Sequence, residues 1–432
     1  MINNIYKFPV KTEWKNLVTR PVLERKNLRN LVQEIFTSVQ SSGDFALKNY
    51  SEKFDGVKID DFLVSKDEII SAANKISEDL KNAIIQAKDN IFKFHKSQEQ
   101  EINKIETQPG ITCWRESRAI ENVGLYIPGG TAPLFSTILM LSIPAKIAGC
   151  KNIILCTPPQ KDGSVNPAIL FTAQLCGIEK IYKIGGAQAI AALTFGTESI
   201  PKVDKIFGPG NQYVTEAKQL AVENGVAIDM PAGPSEVLVI ADSSANPEFC
   251  AADLLSQAEH GVDSQVIFIA TDEQVFSKTM EEIKLQVENL SRNEMAKKAL
   301  NNSRFILLNS VEEAFEFSND YAPEHLILSV ENSVNYSNLI ENAGSVFLGN
   351  YSPEAAGDYA TGTNHTLPTN GFARNYSGVS LDSFVKKITF QNLTQAGLKN
   401  IGKSVELMAE AEGLFAHKNA VTLRLKSLEN GI

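Results

Sequence analysis

Cysteine and histidine are scarce in this 432-residue chain, and the few cysteines form no recognisable group. The five cysteines are odd in number, widely spaced and without a CxxC pair, which argues against a disulfide framework and a thiolate zinc cage. The opening residues, MINNIYKFPVKTEWK, lack the apolar core of a secretory signal. We therefore expect a reduced protein of the cytoplasm.

Excess positive charge and long apolar runs are also missing. Lysine and arginine number 41 against 51 aspartates and glutamates, a net charge of −10, whereas a nucleic-acid partner normally requires a basic face. The longest apolar segment, Leu134–Cys150, is interrupted by Ser136, Ser142, Pro144 and Lys146, and is shorter than the roughly 18–20 residues that span a bilayer. We expect a buried helix there, no membrane span and no nucleic-acid partner.

The pattern that is present is an alternation of strands and helices. Short β-rich runs alternate with helical segments from Val123 to Asp229, and a second series of the same kind begins at Glu236. Such alternation predicts parallel βαβ units. The predicted fold class is therefore α/β, with two tandem Rossmann-like open parallel sheets and helical N-terminal and C-terminal extensions.

The domain prediction follows from the same pattern, because both ends of the chain are charged and have helical periodicity. We predict a helical N-terminal segment over residues 1–120 that packs on the α/β core, a first Rossmann-like domain over 121–233, a second over 234–382 and a helical tail over 383–432. The tail is amphipathic. Packing on its own subunit and packing on a partner are both open from the pattern alone.

Three glycine-containing loops follow strands of the first predicted sheet: Tyr126–Gly130, Gly185–Gln188 and Gly208–Asn211. Loops after the strands of an open parallel sheet form its binding edge, and glycines there let backbone N–H groups approach a phosphate. No GxGxxG motif with an acidic residue about 20 positions later is present. The loops favour a nucleotide site of a non-standard kind, with simple tight turns as the alternative.

A possible metal site lies beyond the first sheet. A tight Ala-Gly-Pro-Ser turn leads to the run EVLVIAD and then to a helix that ends in Gln257 and His260. Side chains three residues apart share a helix face, so this amide and imidazole can converge. Asp358, in a glycine-rich loop, and His417, in the tail, complete a nitrogen and oxygen set that suits zinc, manganese or cobalt. Spacing alone does not favour these residues over His365.

An acid and a base are adjacent in the sequence at Glu324 and His325, which follow a proline and precede the run LILSV. A carboxylate–imidazole pair at a sheet edge can serve in general acid–base catalysis, and a solvated loop pair is the alternative. Cys150, Cys156 and Cys176 lie within apolar strand or helix patterns. We expect them to be inert packing thiols.

Many segments resemble, in the same order, those of the histidinol dehydrogenases. They are VGLYIPGGTAPLFST, GGAQAIAALTFGT, VDKIFGPGNQYVTEAK, IDMPAGPSEVLVIAD, DLLSQAEHG, APEHL, GDYATGTNHTLPT and EGLFAHKNAV, so the resemblance extends over nearly the whole chain. It implies oxidation of L-histidinol to L-histidine by two NAD-dependent steps through histidinaldehyde, in histidine biosynthesis.

The resemblance also implies a role for particular residues. It implies that one zinc ion per subunit is bound by Gln257, His260, Asp358 and His417. It implies that NAD is contacted by Tyr126, Gln188 and Asn211. It implies that the catalytic positions are Glu324 and His325, and that the substrate is held by Ser235, Glu412, His325 and the metal ligands. It further implies a homodimer whose C-terminal tail crosses over, so that Glu412 and His417 complete the partner's site.

Two other classes of function remain as alternatives at this point. A zinc-dependent hydrolase of a small amide or ester would use Glu324 as a base, but this alternative does not explain the glycine-containing loops. A nucleotide-sensing regulatory protein explains those loops but not the acid–base pair.

Overall fold

The computed structural model describes residues 4–20, 25–129, 133–231 and 233–429. The chain divides into two compact units, Met1–Gln98 with Ile120–Phe384, and Glu99–Ala119 with Val385–Ile432. The first unit contains two parallel sheets, and the second contains an antiparallel sheet and two helices. No described helix combines the length and the apolarity needed to cross a membrane.

The strands are numbered along the chain: β1 Ile5–Lys7, β2 Ile105–Gln108, β3 Ile111–Ala119, β4 Asn122–Tyr126, β5 Asn152–Thr157, β6 Lys180–Lys183, β7 Lys205–Phe207, β8 Ala227–Ile228, β9 Glu236–Ala241, β10 Gln265–Ala270, β11 Arg304–Leu307, β12 His325–Ser329, β13 Ser345–Leu348 and β14 Val385–Leu393. The α-helices are α1 Lys11–Leu17, α2 Arg25–Tyr50, α3 Lys66–Ala72, α4 Glu78–Lys96, α5 Phe135–Ala148, α6 Pro167–Leu175, α7 Gly186–Phe195, α8 Gln212–Glu223, α9 Pro247–Ala258, α10 Glu273–Val287, α11 Asn293–Asn301, α12 Val311–Tyr321, α13 Glu354–Tyr359, α14 Gln395–Ala411 and α15 Phe415–Glu429.

The first sheet is parallel, with the strand order β6-β5-β4-β7-β8. Its side chains alternate between two cores, as the pleat of a strand requires. Ile154 and Cys156 face the core of α2, α7 and α8, whereas Ile153 and Leu155 face the core of α5 and α6. Burial on both faces explains why these strands are continuous apolar runs.

The second sheet is also parallel, with the order β1-β11-β10-β9-β12-β13. Val237 and Val239 face α9, α10 and α11, whereas Leu238 and Ile240 face α1 and α12. Each fully buried aliphatic side chain of this kind stabilises the fold by about 1.5–3 kcal/mol. Apart from β1, the order of the strands repeats that of the first sheet, which confirms the predicted fold class.

The structure corrects the prediction of helical ends in three places. Strand β1 pairs in parallel with β11 at the edge of the second sheet. Strands β2 and β3, within the N-terminal segment, and β14, within the predicted tail, form the antiparallel sheet of the second unit. The run VKKITFQNL is rich in β-branched and aromatic residues and is paired along its whole length with β3. Its pairing partner is remote in sequence, so local periodicity alone did not identify it.

The two parallel sheets of the first unit present opposite edges to one cleft of about 920 Å³. From the first sheet come residues that follow the carboxyl ends of β4 and β7, such as Pro128 and Asn211. From the second sheet come residues at the amino ends of β9 and β12, such as Ser235 and His325. The second sheet therefore contributes the edge opposite to the one that usually binds ligands.

Candidate active site

Gln257 and His260 lie at the carboxyl end of α9, on the wall of the cleft. Gln257 is in the last helical turn and is buried, whereas His260 is two residues beyond the helix and exposed. The Gln257 amide nitrogen donates to the Glu236 carbonyl at 3.1 Å. Its amide oxygen is buried and has no hydrogen-bond partner among the described residues, so it is free to bind a ligand.

Glu324 and His325 lie where the chain enters β12, and both side chains are buried. Glu324 Oε2 accepts a hydrogen bond from the Glu236 backbone N–H at 2.9 Å. His325 Nδ1 lies 3.1 Å from the Glu236 carbonyl oxygen. The Gln257 amide nitrogen, which only donates, also lies 3.1 Å from Nδ1. Nδ1 therefore either donates to the carbonyl or accepts from the amide, and when it donates to the carbonyl, Nε2 is the basic nitrogen of the neutral ring.

The free nitrogen of His325 faces Asp358, whose Oδ1 is 3.6 Å away. Among the described residues, His325 Nε2 has no hydrogen-bond partner. A buried imidazole nitrogen that faces a carboxylate and has no hydrogen-bond partner can exchange a proton with a substrate. The predicted catalytic pair and Asp358 are thus brought together by the fold.

A third carboxylate, Glu354, was missed by the sequence analysis. It begins α13 and is 1% exposed, and one ligand atom from each of His325, Glu354 and Asp358 lies within 4.8 Å of the others. Glu354 precedes Asp358 by four residues, which places both on one face of a helix. Recognising AAGDY as helical would have revealed it, but the run was interpreted as a glycine-rich loop.

Burial and mutual repulsion shift the pKa values of these carboxyl groups. Burial raises the pKa of Glu324 and that of Glu354 to about 8 each. Burial alone would lower the pKa of His325, but the carboxylates of Glu354, Glu324 and Asp358 outweigh it and raise that pKa well above its usual value. Burial opposes ionisation of Asp358 too, yet the neighbouring His325 ring holds the pKa of Asp358 below its usual value. The site is an acidic cluster that favours a cation.

His365, which sequence spacing could not separate from the candidate ligands, ties two elements together. Its Nδ1 lies 2.8 Å from the Asp358 backbone oxygen, and its Nε2 lies 3.1 Å from Thr137 Oγ1 on α5. Burial lowers its pKa. With both ring nitrogens occupied, His365 connects α13, which carries Asp358, to α5.

The predicted NAD-contacting residues are arranged around two glycine loops. Tyr126 and Gln188 are buried, and the Tyr126 hydroxyl accepts a hydrogen bond from Gly186 N–H at 3.1 Å. Asn211 caps α8 by accepting from the backbone N–H groups of its first turn, and it lines the cleft. Of the loop Tyr126–Gly130, Gly130 lies outside the described residues.

Gly208 is held where no larger residue fits. Its φ is +130°, and an added Cβ would lie 2.0 Å from the Tyr126 carbonyl oxygen. Its N–H donates to Asp229 at 2.8 Å and its carbonyl accepts from the buried Lys218 at 3.0 Å. The loop that carries Asn211 therefore packs closely against the end of β4 and is hydrogen-bonded to α8 and to Asp229, just after β8.

The remaining predicted site residues are placed as follows. Ser235 lines the cleft just before β9; Ala232, in the same turn, lies outside the described residues. Glu412 ends α14 and His417 lies in the first turn of α15, both with exposed side chains, in the second compact unit.

Of the cysteines predicted to be packing thiols, Cys150 and Cys156 are buried and Cys176 is half-buried. Burial raises the pKa of Cys150 and that of Cys176 to about 11 each, and raises the pKa of Cys156 still further. At neutral pH these thiols are not nucleophilic thiolates.

Comparisons with known proteins point to one family. The family model described as histidinol dehydrogenase matches residues 18–425. The histidinol dehydrogenase of Bacteroides thetaiotaomicron is 57% identical over 425 residues, which is 98% of this chain and 99% of that protein. That of Haemophilus influenzae is 56% identical over 97% of both chains. The crystal structure of histidinol dehydrogenase from Elizabethkingia anophelis is 62% identical, with a TM-score of 0.97 over 99% of this chain and 98% of that chain.

Proposed function

The chain belongs to the histidinol dehydrogenase family, and we propose that its cleft oxidises L-histidinol to L-histidine through histidinaldehyde, reducing two NAD. As a member of that family it is an NAD-dependent oxidoreductase of histidine biosynthesis. The observation that carries the mechanism is the buried Glu324–His325 pair, whose unpartnered Nε2 faces Asp358. The hydrolase alternative finds no support, because the relatives matched over nearly their full length are dehydrogenases by name.

His325 is the proposed base in both oxidations. In the first, Nε2 takes the hydroxyl proton of the alcohol while the hydride leaves carbon, and the aldehyde forms. In the second, water adds to the aldehyde, and Nε2 takes a proton from the hydrate as the second hydride leaves. NAD, when bound, accepts each hydride. Hydration requires no cysteine nucleophile, which agrees with the raised pKa values of the buried thiols.

Glu324 is proposed to activate the water that adds to the aldehyde. Burial raises its pKa to about 8, which makes its carboxylate a stronger proton acceptor than an exposed one. The hydrogen bond from the Glu236 N–H to Oε2 fixes the orientation of that carboxylate, and Oε1 remains for the water.

We propose that Gln257, His260 and Asp358, with His417, hold one zinc ion per subunit. The buried, unpartnered amide oxygen of Gln257 fits a metal ligand, and so does the acidic cluster beside it. Nitrogen and oxygen donors without thiolate suit zinc, although they accept manganese or cobalt. When bound, zinc supplies a template for the imidazole and amine of the substrate, and fixed orientation of this kind is worth roughly 7–11 kcal/mol of barrier.

Ligand contacts are proposed for the other predicted residues. Tyr126 and Gln188 both adjoin Gly186, and Asn211 lies on the wall of the cleft. All three follow or end strands of the first sheet at its carboxyl edge, which supports a shared role in binding NAD. Ser235 lines the cleft near the catalytic pair, and with Glu412 it would hold the substrate. We also propose a cytoplasmic location, supported by five free cysteines.

The proposed activity is tested by the amount of reduced cofactor formed. Purified protein with limiting L-histidinol and excess NAD is expected to form about two NADH per histidinol, because the alcohol and the aldehyde are each oxidised once. Absorbance measures the NADH that is formed, and amino-acid analysis measures the histidine that is formed. One NADH per histidinol, with free aldehyde accumulating, would contradict the second half of the proposal.

We further propose a homodimer in which the C-terminal tail is exchanged. Support comes from α15, which has no buried residue among those described and exposes Phe415 and Leu423. An apolar surface of this kind is typical of an interface, and exchange of an identical element is a low-cost route to a symmetric dimer. Glu412 and His417 would then act in the partner's site.

Tail exchange is expected to appear as complementation between two inactive variants. When His417→Ala and His260→Ala subunits are mixed and allowed to exchange, one site of each heterodimer receives both defects and the other receives neither. Activity should return to about a quarter of wild type on statistical pairing. Each variant mixed with itself is the control. If exchange is demonstrated by mass and the mixture stays inactive, each chain uses its own His417.

A further inference from the structure

The backbone of Glu236, the first residue of β9, holds three side chains of the active site. Its N–H donates to Glu324 Oε2 at 2.9 Å. Its carbonyl oxygen lies 3.1 Å from both Gln257 Nε2 and His325 Nδ1. When Nδ1 donates to this carbonyl, Nε2 is the basic nitrogen of the His325 ring. The position of Glu236 therefore determines the orientation of the catalytic pair and of one proposed metal ligand.

The side chain of Glu236 is in turn held by Arg20, which is 216 residues away in sequence. Arg20 Nε and Nη2 donate to the two carboxylate oxygens at 2.5 and 2.9 Å, a bidentate pair. The backbone N–H of Asn370 adds a third hydrogen bond at 2.9 Å. The Glu236 side chain is 3% exposed and that of Arg20 15% exposed, so the pair is shielded from solvent and screening by salt is weak.

Arg20 also holds the turn that leads into the catalytic pair. Its Nη2 donates to the backbone oxygens of Tyr321 and Ala322 at 2.8 and 3.3 Å, and its guanidinium lies 3.9 Å from the centre of the Tyr321 ring. Ala322 has a φ of +54°, a left-handed conformation that is unfavourable for a residue with a Cβ. Glu324 follows two residues later, so this turn directs the chain into the site.

We propose that Arg20 and Glu236 are positioning residues for catalysis. The Arg20 guanidinium holds the Glu236 side chain, and the Glu236 backbone in turn orients Glu324 and His325. The same guanidinium also holds the turn that precedes Glu324. Neither residue needs to touch the substrate. The role requires arginine, because a lysine has one point charge and cannot bind both carboxylate oxygens and two carbonyls in this planar geometry. The proposal rests on the proposed oxidation of histidinol by this site.

Steady-state kinetics test the proposal with Arg20→Lys and Glu236→Gln. Both are expected to lower kcat on histidinol by about 10- to 100-fold, since a misplaced catalytic group lowers the rate without weakening ligand binding, while KM for NAD stays within about twofold. Arg304→Lys is the matched control, because among the described residues the Arg304 side chain donates hydrogen bonds only to the backbone carbonyls of Asn302 and Ser303, at the start of β11 in the same sheet. A raised KM with unchanged kcat would overturn the proposal, because Arg20 would then be a ligand-binding residue.

A double-mutant comparison shows whether Arg20 acts through His325. In a His325→Gln background, Arg20→Lys should cost a smaller fold-change in kcat than it does in the wild-type background, since one of the groups it positions is already gone. A merely structural role would instead multiply the two losses, and that result would overturn the proposal. If Arg20→Lys fails to fold, Glu236→Gln, which keeps the backbone hydrogen bonds, decides the question.

A spectroscopic measurement separates this proposal from the proposed function. With five histidines in the chain, the imidazole ¹⁵N signals of His325 can be assigned by their loss in His325→Gln. They should shift in Arg20→Lys and remain in place in Arg304→Lys, whether or not histidinol is the substrate. Unshifted signals in Arg20→Lys would reject the positioning role, whereas absence of wild-type turnover on histidinol would reject only the assigned reaction.

Discussion

Replacing His325 with glutamine is expected to lower the rate of both oxidations by about 10²–10⁴-fold, the usual contribution of a general base. Glutamine keeps the polarity of the side chain but has no basic nitrogen to face Asp358. Glu324→Gln keeps the shape of the carboxylate and loses its basicity, so it should slow the oxidation of supplied histidinaldehyde more than that of histidinol. NADH formation from each substrate, measured separately, distinguishes the two roles.

The control for this pair is Glu248→Gln, which changes an exposed carboxylate at the start of α9. It should leave both rates unchanged. Losses below tenfold in both His325→Gln and Glu324→Gln would exclude this pair from the mechanism. An equal effect of Glu324→Gln on the alcohol and aldehyde steps would contradict its assignment to the water.

Removing the metal is expected to abolish turnover, and adding zinc should restore it. The reason is that the substrate loses the template that orients it, a contribution of roughly 7–11 kcal/mol. His260→Asn should release most of the bound zinc as well, since it removes one ligand. Metal analysis of the purified variant gives a readout that does not depend on activity.

His95→Asn is the matched control for the zinc experiment. His95 is also a histidine of the first unit, but it is buried and its Nδ1 lies 2.9 Å from the Ile91 carbonyl. This variant should retain its zinc. Full zinc content and full activity in His260→Asn would show that the end of α9 is not the metal site.

The cores of the two parallel sheets were predictable because they depend on local pattern. Runs such as EVLVIA and QVIFIA are apolar at every position, which occurs when both faces of a strand are buried. Strand β14 was not predictable in this way, because its alternating pattern is meaningful only beside β3, more than 250 residues earlier. Local signals identify strands with two buried faces better than those with one.

The same distinction applies to the site. Glu324 and His325 were found because they are adjacent and follow a proline, and the family resemblance supplied their roles. Glu236 acts through its backbone, which no side-chain motif reveals, and its partner Arg20 is remote in sequence. The local signal for this pair was the Glu236 carboxylate at the start of the buried apolar strand β9, because a buried ion needs a partner of opposite charge.

The opposed edges of the two sheets give the cleft a polarity that does not depend on charged side chains. On the side of the first sheet, α5 and α8 begin at the cleft, so the positive ends of their macrodipoles face it. On the side of the second sheet, α9 ends there, and its negative end faces it. Each such end stabilises an opposite charge by about 0.3–1 kcal/mol. This polarity favours an anion such as a dinucleotide pyrophosphate on one wall, and a cation such as the proposed zinc ion or a substrate ammonium group on the other.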